Sequence, residues 1–407
     1  MLNVKSEIGK MKKVLVHPPG RELLNLTPST LGELLFDDIP YLRKAREEHA
    51  CFREILEGEN VEVVLLEDLM VETLEQNPGL IDEFLKQYLT EGSVNTAYYR
   101  EILLDYYKSF RNLKDMVLKT MEGISNKDIE ICKTNCLVDA VQRDTQMIIN
   151  PMPNLYFTRD PFSTIGKGAS INRMHSVTRG RETIYGDFIL KYHNEYKENP
   201  NIYYHKEDLF SIEGGDIFNF SEEILGIGIS QRTTPEAIQD LALRLFYEFD
   251  TPIEKIIAFN IPSLRAFMHL DTVFTQIDYN AFLYHPGIMG SLKVYIISKG
   301  SGKKELKIHE ETGNLEEILS RNLGLDNVKL YPCAGGDYIT SQREQWNDGS
   351  NTLAVAPRTL IVYDRNEATN EMLKEEGYKL LEMPSSELSR GRGGPRCMSM
   401  PLIREDL

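Results

Sequence analysis

Long apolar runs are missing from this sequence of 407 residues. A helix that crosses a bilayer needs roughly 18 or more consecutive apolar residues, and no stretch comes near that length, so we expect no membrane partner. Charged residues stand among the first seven positions with no apolar segment behind them, which predicts that no secretory signal is present. Low-complexity stretches and linkers rich in Pro or Ser are also missing, so we expect one large domain or two.

Positive charge is in short supply. Lys and Arg total 46 against 62 Asp and Glu, which gives a net charge of -16. Nucleic acids and anionic membranes are bound by clustered Lys and Arg, so neither is expected as a partner. An acidic protein would instead attract small cations.

Cysteine is scarce, with five residues in the chain. A small, odd number is typical of a reducing compartment rather than of a disulfide framework, so we expect a cytoplasmic protein. Cys132 and Cys136 stand in a segment that mixes apolar and polar residues, and they are expected to pack rather than to react. Cys51, Cys333 and Cys397 are the others, and one of the five is open to a role as a reactive thiol.

The beginning of the chain predicts a β-α-β order. Apolar segments at 13–17 and 61–66 have the length of buried strands, and the segment 41–56 between them has a helical pattern. From about 71 to 124 the apolar residues repeat at helical spacing, and Asn-Pro-Gly and Glu-Gly-Ser supply turns. We therefore expect a helical insert at 71–124. The larger α/β part would then be formed by 1–70 and 125–407.

Short strand-like segments return after residue 151, with helical patterns such as 235–247 and 366–376 between them. Four segments each place polar or small residues directly before an apolar run, and they are 213–218, 269–274, 335–339 and 397–402. Repeated modules of this kind suit a pseudo-symmetric α/β array with a central site. Turns with Gly and Asp before strands are common, so the pattern alone leaves that arrangement open.

Cys397 follows a segment that is unusually rich in Gly and Arg, RGRGGPR at 390–396. Gly and Pro disfavour a helix there and the charge disfavours a core, so one interpretation is an inert tail. Three nearby arginines would instead favour the thiolate form, and the glycines would let the backbone approach a ligand closely. The segment is not a phosphate loop, because it lacks the Lys-Ser/Thr ending and the strand-then-helix context.

His269 and Asp271 stand two positions apart at the start of an apolar run, where extended backbone would direct both side chains to one face. Paired with a cysteine nucleophile, His269 would act as general acid and base. A metal site is a second interpretation, but no other histidine stands in an obvious partner motif, so no metal is expected. A structural histidine is the third.

Two further carboxylates, Glu213 and Asp160, stand in short segments bounded by turns. Taken singly, each is explained as a cap or a turn residue. Joined to a thiol, one histidine and Asp271, they form a set suited to a planar cation, because carboxylates match the N–H groups of a guanidinium two at a time. A cysteine peptidase would not need so many carboxylates.

The sequence closely resembles the arginine deiminase family of the guanidino-group-modifying superfamily, almost from end to end. The resemblance rests on motifs that stand in the family's order: SEIGKMKKV at 6–14, LFDD at 35–38, FTRD at 157–160, EGGD at 213–216, MHLDTVF at 268–274, REQW at 343–346 and the loop of Cys397. One local departure is Pro395-Arg396 before the cysteine, which bears on loop mobility and thiol acidity but removes no role.

The resemblance implies an α/β fold of five ββαβ-type modules around a pseudo-fivefold axis, a five-module α/β propeller, with a helical insert. It implies hydrolysis of free L-arginine to L-citrulline and ammonia without a metal or organic cofactor, in a homo-oligomer. Cys397 would attack the guanidinium carbon, Asp160 and Asp271 would hold the guanidinium nitrogens, and Glu213 and His269 would handle protons.

The resemblance also assigns residues to the two other ends of the substrate. The α-carboxylate would be bound by Arg179, Arg232 and Arg392, and the amino end would lie near Asn154, Phe157 and Gly391. Arg179 belongs to an Arg-Gly-Arg sequence, so Arg181 is an alternative occupant of that position, and a solvated charged turn is another. Arginines on a carboxylate and aspartates on a guanidinium would select the free amino acid over a peptide-bound one.

Three other functions stay open at this point. An amidinotransferase would use the same chemistry, and so would a hydrolase of methylated arginine or of agmatine. Three carboxylate-binding arginines disfavour agmatine, which has no carboxylate, and the helical insert disfavours the compact methylarginine hydrolases. A catalytically inactive homologue that serves as a binding protein would be expected to have lost at least one of the five reactive residues, and all five are present.

Overall fold

The computed structural model describes residues 1–94, 97–129, 147–198 and 201–407. Cys132 and Cys136 lie outside the described residues. The α-helices of these ranges are α1 (Leu42–Gly58), α2 (Leu66–Gln76), α3 (Leu80–Glu91), α4 (Ala97–Lys108), α5 (Leu113–Glu122), α6 (Val177–Gly180), α7 (Thr183–Tyr192), α8 (Pro235–Tyr247), α9 (Leu315–Leu323), α10 (Tyr338–Trp346) and α11 (Glu367–Glu375).

The strands of the same ranges are mostly short. They are β1 (Met11–Val16), β2 (Glu62–Leu65), β3 (Ile124–Ser125), β4 (Met147–Ile149), β5 (Phe162–Ile165), β6 (Gly168–Ile171), β7 (Ile202–Tyr204), β8 (Ile217–Asn219), β9 (Ile224–Ile229), β10 (Lys255–Asn260), β11 (Phe274–Asp278), β12 (Ala281–Tyr284), β13 (Lys293–Lys299), β14 (Leu306–Glu310), β15 (Lys329–Pro332), β16 (Leu353–Ala356), β17 (Thr359–Tyr363), β18 (Lys379–Met383) and β19 (Met400–Arg404).

Five groups of three strands in the described part of the chain share one pairing pattern. In each group the middle strand runs antiparallel to one neighbour and parallel to the other. The groups are β5-β6-β7, β8-β9-β10, β11-β12-β15, β16-β17-β18 and β19-β1-β2. Parallel neighbours need a crossover connection, and in every group at least one α-helix stands between them in the chain.

Two further strand pairs and one pairing between the ends of the chain complete the sheets. Strands β13 and β14 extend the group of β8-β9-β10 on its β10 side, and β3 and β4 form a separate pair. Strand β19 lies antiparallel to β1, with Val14 opposite Pro401. This pairing joins the two halves of one group across almost the whole chain, and it places the segment before β19 beside the amino-terminal strand.

Helices α2 to α5 follow β2 without an intervening strand, and α2 begins at Leu66, so position 71 lies inside that helix. Their apolar faces are fully buried, for example at Phe84, Tyr88 and Leu103. They share one apolar core with α7 and with the sheet of β5-β6-β7. The helical segment is therefore packed onto the α/β part, not set apart from it.

Local sequence explains helix α8 well. Thr234 caps its first turn by accepting a hydrogen bond from the Ala237 backbone N–H, and Pro235 occupies the first helical position, where no N–H is needed. Residues at positions 238, 241, 242 and 245 form one buried apolar face. The strands expected at 13–17 and 61–66 and the helix expected at 41–56 correspond to β1, β2 and α1.

Two of the expectations about segments before strands are wrong. Gly335, Gly336 and Asp337 do not lead into a strand, because the Asp337 side chain caps helix α10 by accepting from the Thr340 backbone N–H. His269 itself is extended, but Asp271 is not, because Leu270–Thr272 forms a 3-10 turn between His269 and β11. Within the described residues, no helix has both the length and the apolarity that a membrane span requires.

Candidate active site

Each of the five strand groups is preceded in the chain by a polar residue of one shared cluster. These residues are Asp160 before β5, Glu213 before β8, His269 and Asp271 before β11, Asn351 before β16, and Cys397 before β19. Five predicted residues are thus brought together from positions spread over more than half of the chain. Asn351 was not predicted. Like Glu213, Asn351 belongs to a run of polar and small residues that stands shortly before an apolar strand. This signal could have found it.

A small cavity lies at the centre of the cluster. It is lined by Leu35, Asn154, Phe157, Asp160, Arg179, Arg232, Met268, His269, Gly391, Arg392 and Cys397. Nine of the eleven predicted site residues are in this lining. The other two, Glu213 and Asp271, do not line the cavity but contact residues that do, His269 and Cys397 respectively. The cavity measures about 20 Å³, which is room for about one water molecule. An amino acid can therefore enter only if a wall of the cavity moves.

Cys397 is almost fully buried, with 3% of its surface exposed. Its Sγ lies 3.5 Å from Asp271 Oδ2 and 3.1 Å from Asn351 Nδ2. Burial first, and then the charges of Asp271 and Asp160, raise the pKa of the Cys397 thiol well above its ordinary range. A cation bound by the two aspartates would offset these charges and favour the thiolate.

His269 and Glu213 form a buried hydrogen-bonded pair, with His269 Nε2 and Glu213 Oε2 2.7 Å apart. Burial opposes the imidazolium, but Asp160 and Glu213 outweigh it and raise the pKa of His269 to about 9. Burial likewise opposes the carboxylate of Glu213, yet Arg232 and His269 hold its pKa below the ordinary value. A Cβ at Gly215 would lie 2.7 Å from the imidazole ring, so only glycine fits there.

Asp160 and Asp271 share an arrangement that points to a cationic ligand. Asp160 Oδ2 accepts from Arg179 Nη1 at 2.7 Å, and Asp271 Oδ2 accepts from Arg396 Nη1 at 2.9 Å. The other carboxylate oxygen of each aspartate is buried and has no hydrogen-bond partner among the described residues. Each aspartate thus keeps one oxygen for a further donor beside Cys397, where a planar guanidinium could pair with both.

Arg232 and Arg392 contribute buried donors to the cavity lining. Arg232 Nη1 and two nitrogens of Arg392, Nε and Nη1, are buried without a hydrogen-bond partner in the described structure. Arg392 Nη1 lies 3.7 Å from Asp37 Oδ2, and its guanidinium stacks on the Trp346 ring at 3.5 Å from the ring centre. These donors suit a carboxylate, which accepts from two N–H groups of an arginine at once.

Arg179 and Arg181, the two candidates for one substrate-binding position, differ in location. Arg179 lines the cavity, pairs with Asp160, and donates to Glu182 Oε2 from Nε and Nη2 at 2.9 and 2.8 Å. Arg181 does not line it, and its Nη2 donates instead to the Asn150 carbonyl. Because Asp160 and Glu182 already occupy the Arg179 donors, its present role is to orient Asp160.

Three predicted residues shape the walls. Asn154 Nδ2 donates to the Leu34 carbonyl at 2.7 Å, which ties down the loop that carries Leu35. Phe157 packs against Tyr156 with ring centres 4.0 Å apart. A Cβ at Gly391 would lie 1.9 Å from the Tyr156 hydroxyl, so this position must be glycine for the loop of Arg392 to reach the cavity.

Arg396, the departure noted before Cys397, is 1% exposed and fully engaged. It donates to Glu7 Oε2 at 3.1 Å, to Asp271 and to the Ile217 carbonyl, and it stacks on Phe218. The side chain therefore fixes Asp271 against the sulfur, a role that the sequence did not reveal.

Asp160, Glu213 and His269 place one possible ligand atom each within 4.8 Å of one another, which is close enough to hold a metal ion. Two arginines bring positive charge to the same place: Arg179 pairs with Asp160, and Arg232 Nη1 lies 3.8 Å from Glu213 Oε2. The positive charge of these arginines would repel a divalent cation. A proton shared by His269 and Glu213 needs no further ligand, because the two side chains already form a hydrogen bond. That no metal is required remains a prediction.

Three solved structures of low sequence identity share the fold. SxtG, an amidinotransferase from Microseira wollei, superposes with a TM-score of 0.55 at 16% identity, covering 100% of this chain and 98% of that one. The N-terminal domain of ArgZ, an arginine dihydrolase from Cyanobacteria, gives 0.53 at 15% identity over 96% of this chain and 97% of that one. AgrE, solved with ornithine and NAD+, gives 0.55, and this chain spans 39% of its length. These likenesses establish the class: an α/β protein with an amidinotransferase-like fold.

Sequence relatives narrow the class to one family. The protein is 52% identical over 407 residues to the arginine deiminase of Treponema denticola, covering 100% of this chain and 99% of that one. It is 49% identical over 408 residues to the arginine deiminase of Clostridium perfringens, covering 100% and 98%. The family described as arginine deiminase matches residues 32–404. The chain belongs to the arginine deiminase family.

Proposed function

We propose that this protein hydrolyses free L-arginine to L-citrulline and ammonia, with Cys397 as the nucleophile. One observation carries the proposal: two buried carboxylates near the sulfur each keep one unpaired oxygen, and two arginines of the cavity lining keep N–H groups without partners among the described residues. A guanidinium at one end and an α-carboxylate at the other would satisfy both sets, and free arginine carries both groups.

Binding would prepare the nucleophile. The guanidinium cation would pair with Asp160 and Asp271 and offset the negative charges that now raise the pKa of the Cys397 thiol. The thiol proton would pass to water, where it later converts the released ammonia to ammonium, and the thiolate would attack the guanidinium carbon to form a C–S bond and a neutral tetrahedral adduct. Because the bound guanidinium carbon would be held beside the thiolate, the attack would become effectively unimolecular, which lowers its entropic barrier.

His269 would then act first as acid and afterwards as base. As imidazolium, which its raised pKa favours near neutral pH, it would protonate the departing nitrogen, so that a C–N bond breaks and ammonia leaves. The neutral imidazole would next take a proton from water, and the hydroxide would add to the carbon of the covalent thiouronium-like intermediate. Collapse would break the C–S bond, return the sulfur as thiolate and release citrulline, and the hydroxyl proton of the adduct would then restore the thiol. Arginine cation and water thus give citrulline and ammonium.

Glu213 would keep His269 in place throughout. Its Oε2 accepts from His269 Nε2, and its Oε1 accepts from the His175 backbone N–H at 2.9 Å. This leaves Nδ1 of His269 directed towards Asp160, 4.0 Å from its unpaired oxygen and therefore towards the reacting carbon. No step needs a metal or an organic cofactor.

The same proposal extends to the architecture. We propose that the five strand groups are the modules of a pseudo-fivefold α/β propeller, formed by 1–70 and 125–407, with 71–124 as a helical insert. The repeated pairing pattern and the polar residue before each first strand support it. A cytoplasmic homo-oligomer without nucleic-acid or membrane partners is the setting that the acidic composition and the family suggest.

The test is to measure citrulline and ammonia from L-arginine with the wild-type protein and with Cys397→Ala. Equal amounts of both products from the wild type, and none from the variant, are expected. Cys51→Ala is the matched control, because Cys51 lies on helix α1 outside the cavity lining and should leave turnover unchanged. Activity on methylated arginines or agmatine but not on L-arginine would move the protein to a sister function, as would transfer of the amidino group to an amine.

A further inference from the structure

Asn351 is the one member of the central cluster to which neither the sequence nor the proposed mechanism gives a task. It is fully buried, at 0% exposure, and its Nδ2 lies 3.1 Å from Cys397 Sγ. The two residues are 46 positions apart, and each stands shortly before the first strand of its group. The contact is therefore a product of the fold and not of local sequence.

The orientation of the Asn351 amide is fixed by its surroundings. Its Oδ1 accepts from two backbone N–H groups, those of Arg396 at 3.1 Å and Cys397 at 3.2 Å. Exchanging oxygen and nitrogen would place the amide N–H groups against two donors, so the assignment is unambiguous. The NH2 group must then face the sulfur and the Asp271 carbonyl, which it reaches at 2.9 Å.

The sulfur has few other sources of stabilisation for a negative charge. Asp271, Asp160 and Asp348 all lie near enough to disfavour the thiolate, and burial removes solvent. Among the described residues, Asn351 is the side chain that donates a hydrogen bond to Sγ. A donor aimed at a buried anion is worth far more than one in water, because no reorganisation is needed when the charge appears.

The amide is also held rigidly. The Asn351 backbone N–H donates to the Asp348 carbonyl at 2.9 Å, and Thr275 Oγ1 donates to the neighbouring Ser350 carbonyl at 2.8 Å. A Cβ at Gly394 would lie 2.7 Å from Asn351 Oδ1, so the cysteine loop is packed directly against the amide. A group held in this way can act as a fixed donor.

We infer that Asn351 is a catalytic residue whose amide N–H stabilises the thiolate of Cys397, both when the sulfur attacks the substrate carbon and when it departs. In the first step the C–S bond forms from the sulfur electron pair, and the hydrogen bond weakens as the charge leaves the sulfur. In the last step the C–S bond breaks, its electron pair returns to the sulfur, and the hydrogen bond is restored. The inference rests on the proposed role of Cys397 as nucleophile.

Two variants distinguish stabilisation of the thiolate by Asn351 from a purely structural role in holding the cysteine loop. Asn351→Asp is isosteric and keeps an oxygen for the two backbone N–H groups, but it presents an oxygen to the sulfur instead of a donor. Asn351→Ser removes the amide without adding charge. Asn347→Asp is the matched control for charge, since Asn347 belongs to the same loop and its side chain donates to the Arg343 carbonyl at 2.8 Å instead of to the sulfur.

The measurement is the rate of Cys397 alkylation by iodoacetamide against pH, resolved by peptide mass spectrometry so that other cysteines do not interfere. Both Asn351 variants should move the midpoint of this profile upward by about one pH unit or more, whereas Asn347→Asp should leave it at the wild-type position. In citrulline assays both should lower kcat by roughly 100-fold, the usual effect of removing one such donor, with KM changed less than about threefold. Thermal unfolding identifies any variant that fails to fold, and the other variant then carries the test.

Any of three results would overturn the inference. The first is a set of alkylation profiles of the folded variants that superpose on the wild type, and the second is an effect confined to KM. The third is a shift in Asn351→Asp with none in a folded Asn351→Ser, because added charge would then explain the result. Failure of the proposed function is recognised separately. A wild-type protein that forms no citrulline from L-arginine would contradict that function, while the alkylation profiles would still report whether Asn351 acts on the sulfur.

Discussion

The groups proposed for the chemical step and those proposed for the substrate carboxylate differ in how they are held. At the first set, which we call the reaction end, His269, Glu213 and Cys397 are each fixed by at least one hydrogen bond to a residue from another strand group. At the second set, the carboxylate end, Arg232 and Arg392 keep buried N–H groups without partners among the described residues. The nucleophile and the His269–Glu213 pair are thus organised before any ligand arrives, whereas these arginines, like the unpaired oxygens of Asp160 and Asp271, gain their missing hydrogen bonds only from a ligand.

This difference assigns distinct tasks to the two ends. Groups that are already oriented lower the barrier of the chemical step, because no reorganisation remains to be done in the transition state. Donors that gain partners only on binding contribute to affinity and to the choice of substrate. Substitutions at the reaction end should therefore lower kcat, and substitutions at the carboxylate end should raise KM.

The largest effect is expected for His269→Gln at the reaction end. Removing the general acid and base should lower kcat by roughly 1,000-fold with KM nearly unchanged, since general acid–base catalysis typically contributes 10²–10⁴-fold. Steady-state citrulline formation checks the prediction. Stabilisation of the variant against heat by L-arginine should persist, because the carboxylate end is intact. A variant with normal kcat and raised KM would contradict the division between the two ends.

Arg392→Leu should have the second largest effect and should act on KM. Charge-assisted hydrogen bonds contribute about 1.5–3 kcal/mol each, so KM for L-arginine should rise by roughly 10- to 100-fold. Agmatine, which lacks the carboxylate, serves as the internal control. Any residual activity on agmatine should be unaffected by the substitution, and an equal loss on both substrates would place Arg392 in the chemical step instead.

Trp346→Leu should give a smaller change of the same kind. The Trp346 ring supports the Arg392 guanidinium at 3.5 Å, and such cation–π contacts contribute about 0.5–2 kcal/mol, so KM for L-arginine should rise by roughly 2- to 30-fold. Trp346→Phe keeps an aromatic face and should recover part of the loss. If the Leu and Phe variants behave alike, then packing volume and not the ring face positions Arg392.

The sequence predicted much of the reaction end, and the reason is local. Asp160, Glu213, His269 and Cys397 each stand in a short motif of Gly, Pro or charged residues before an apolar strand, so composition and spacing mark them out. The order of helices and strands near the amino terminus was also predictable, because it follows from apolar periodicity. Their roles, in contrast, came from the family resemblance and not from the pattern.

Contacts between distant segments could not be predicted in this way. Arg396 binds Glu7 across 389 positions because β19 pairs with β1, and the Asn351 contact with Cys397 depends on how two strand groups meet. The segment 335–339 carried the expected Gly-Gly-Asp signal yet caps helix α10, because an aspartate before a helix and one before a strand look alike in sequence. Tertiary packing decided each of these cases.

A further effect concerns the pH dependence of stability at the reaction end, and it acts on unfolding instead of turnover. The pKa of His269 is raised from about 6.5 in an unfolded chain to about 9, so its imidazolium stabilises the folded protein most fully below pH 6.5. That contribution should decline as the pH rises from 6.5 towards 9 and be absent above it. The full difference corresponds to about 3 kcal/mol at most, by the conversion of 1.36 kcal/mol for each pKa unit.

Calorimetric unfolding of the wild type and of His269→Gln between pH 6 and 9.5 measures this contribution directly. The wild type should lose more stability over the interval than the variant, whose side chain cannot titrate, and the gap between the two Tm values should narrow as the pH rises. The variant Arg392→Leu should keep the wild-type slope, because Arg392 belongs to the end of the cavity that does not hold the imidazolium. Parallel curves for the wild type and His269→Gln would show that the His269–Glu213 pair is not charged in the folded protein, and the proton donor for ammonia release would then have to be another group.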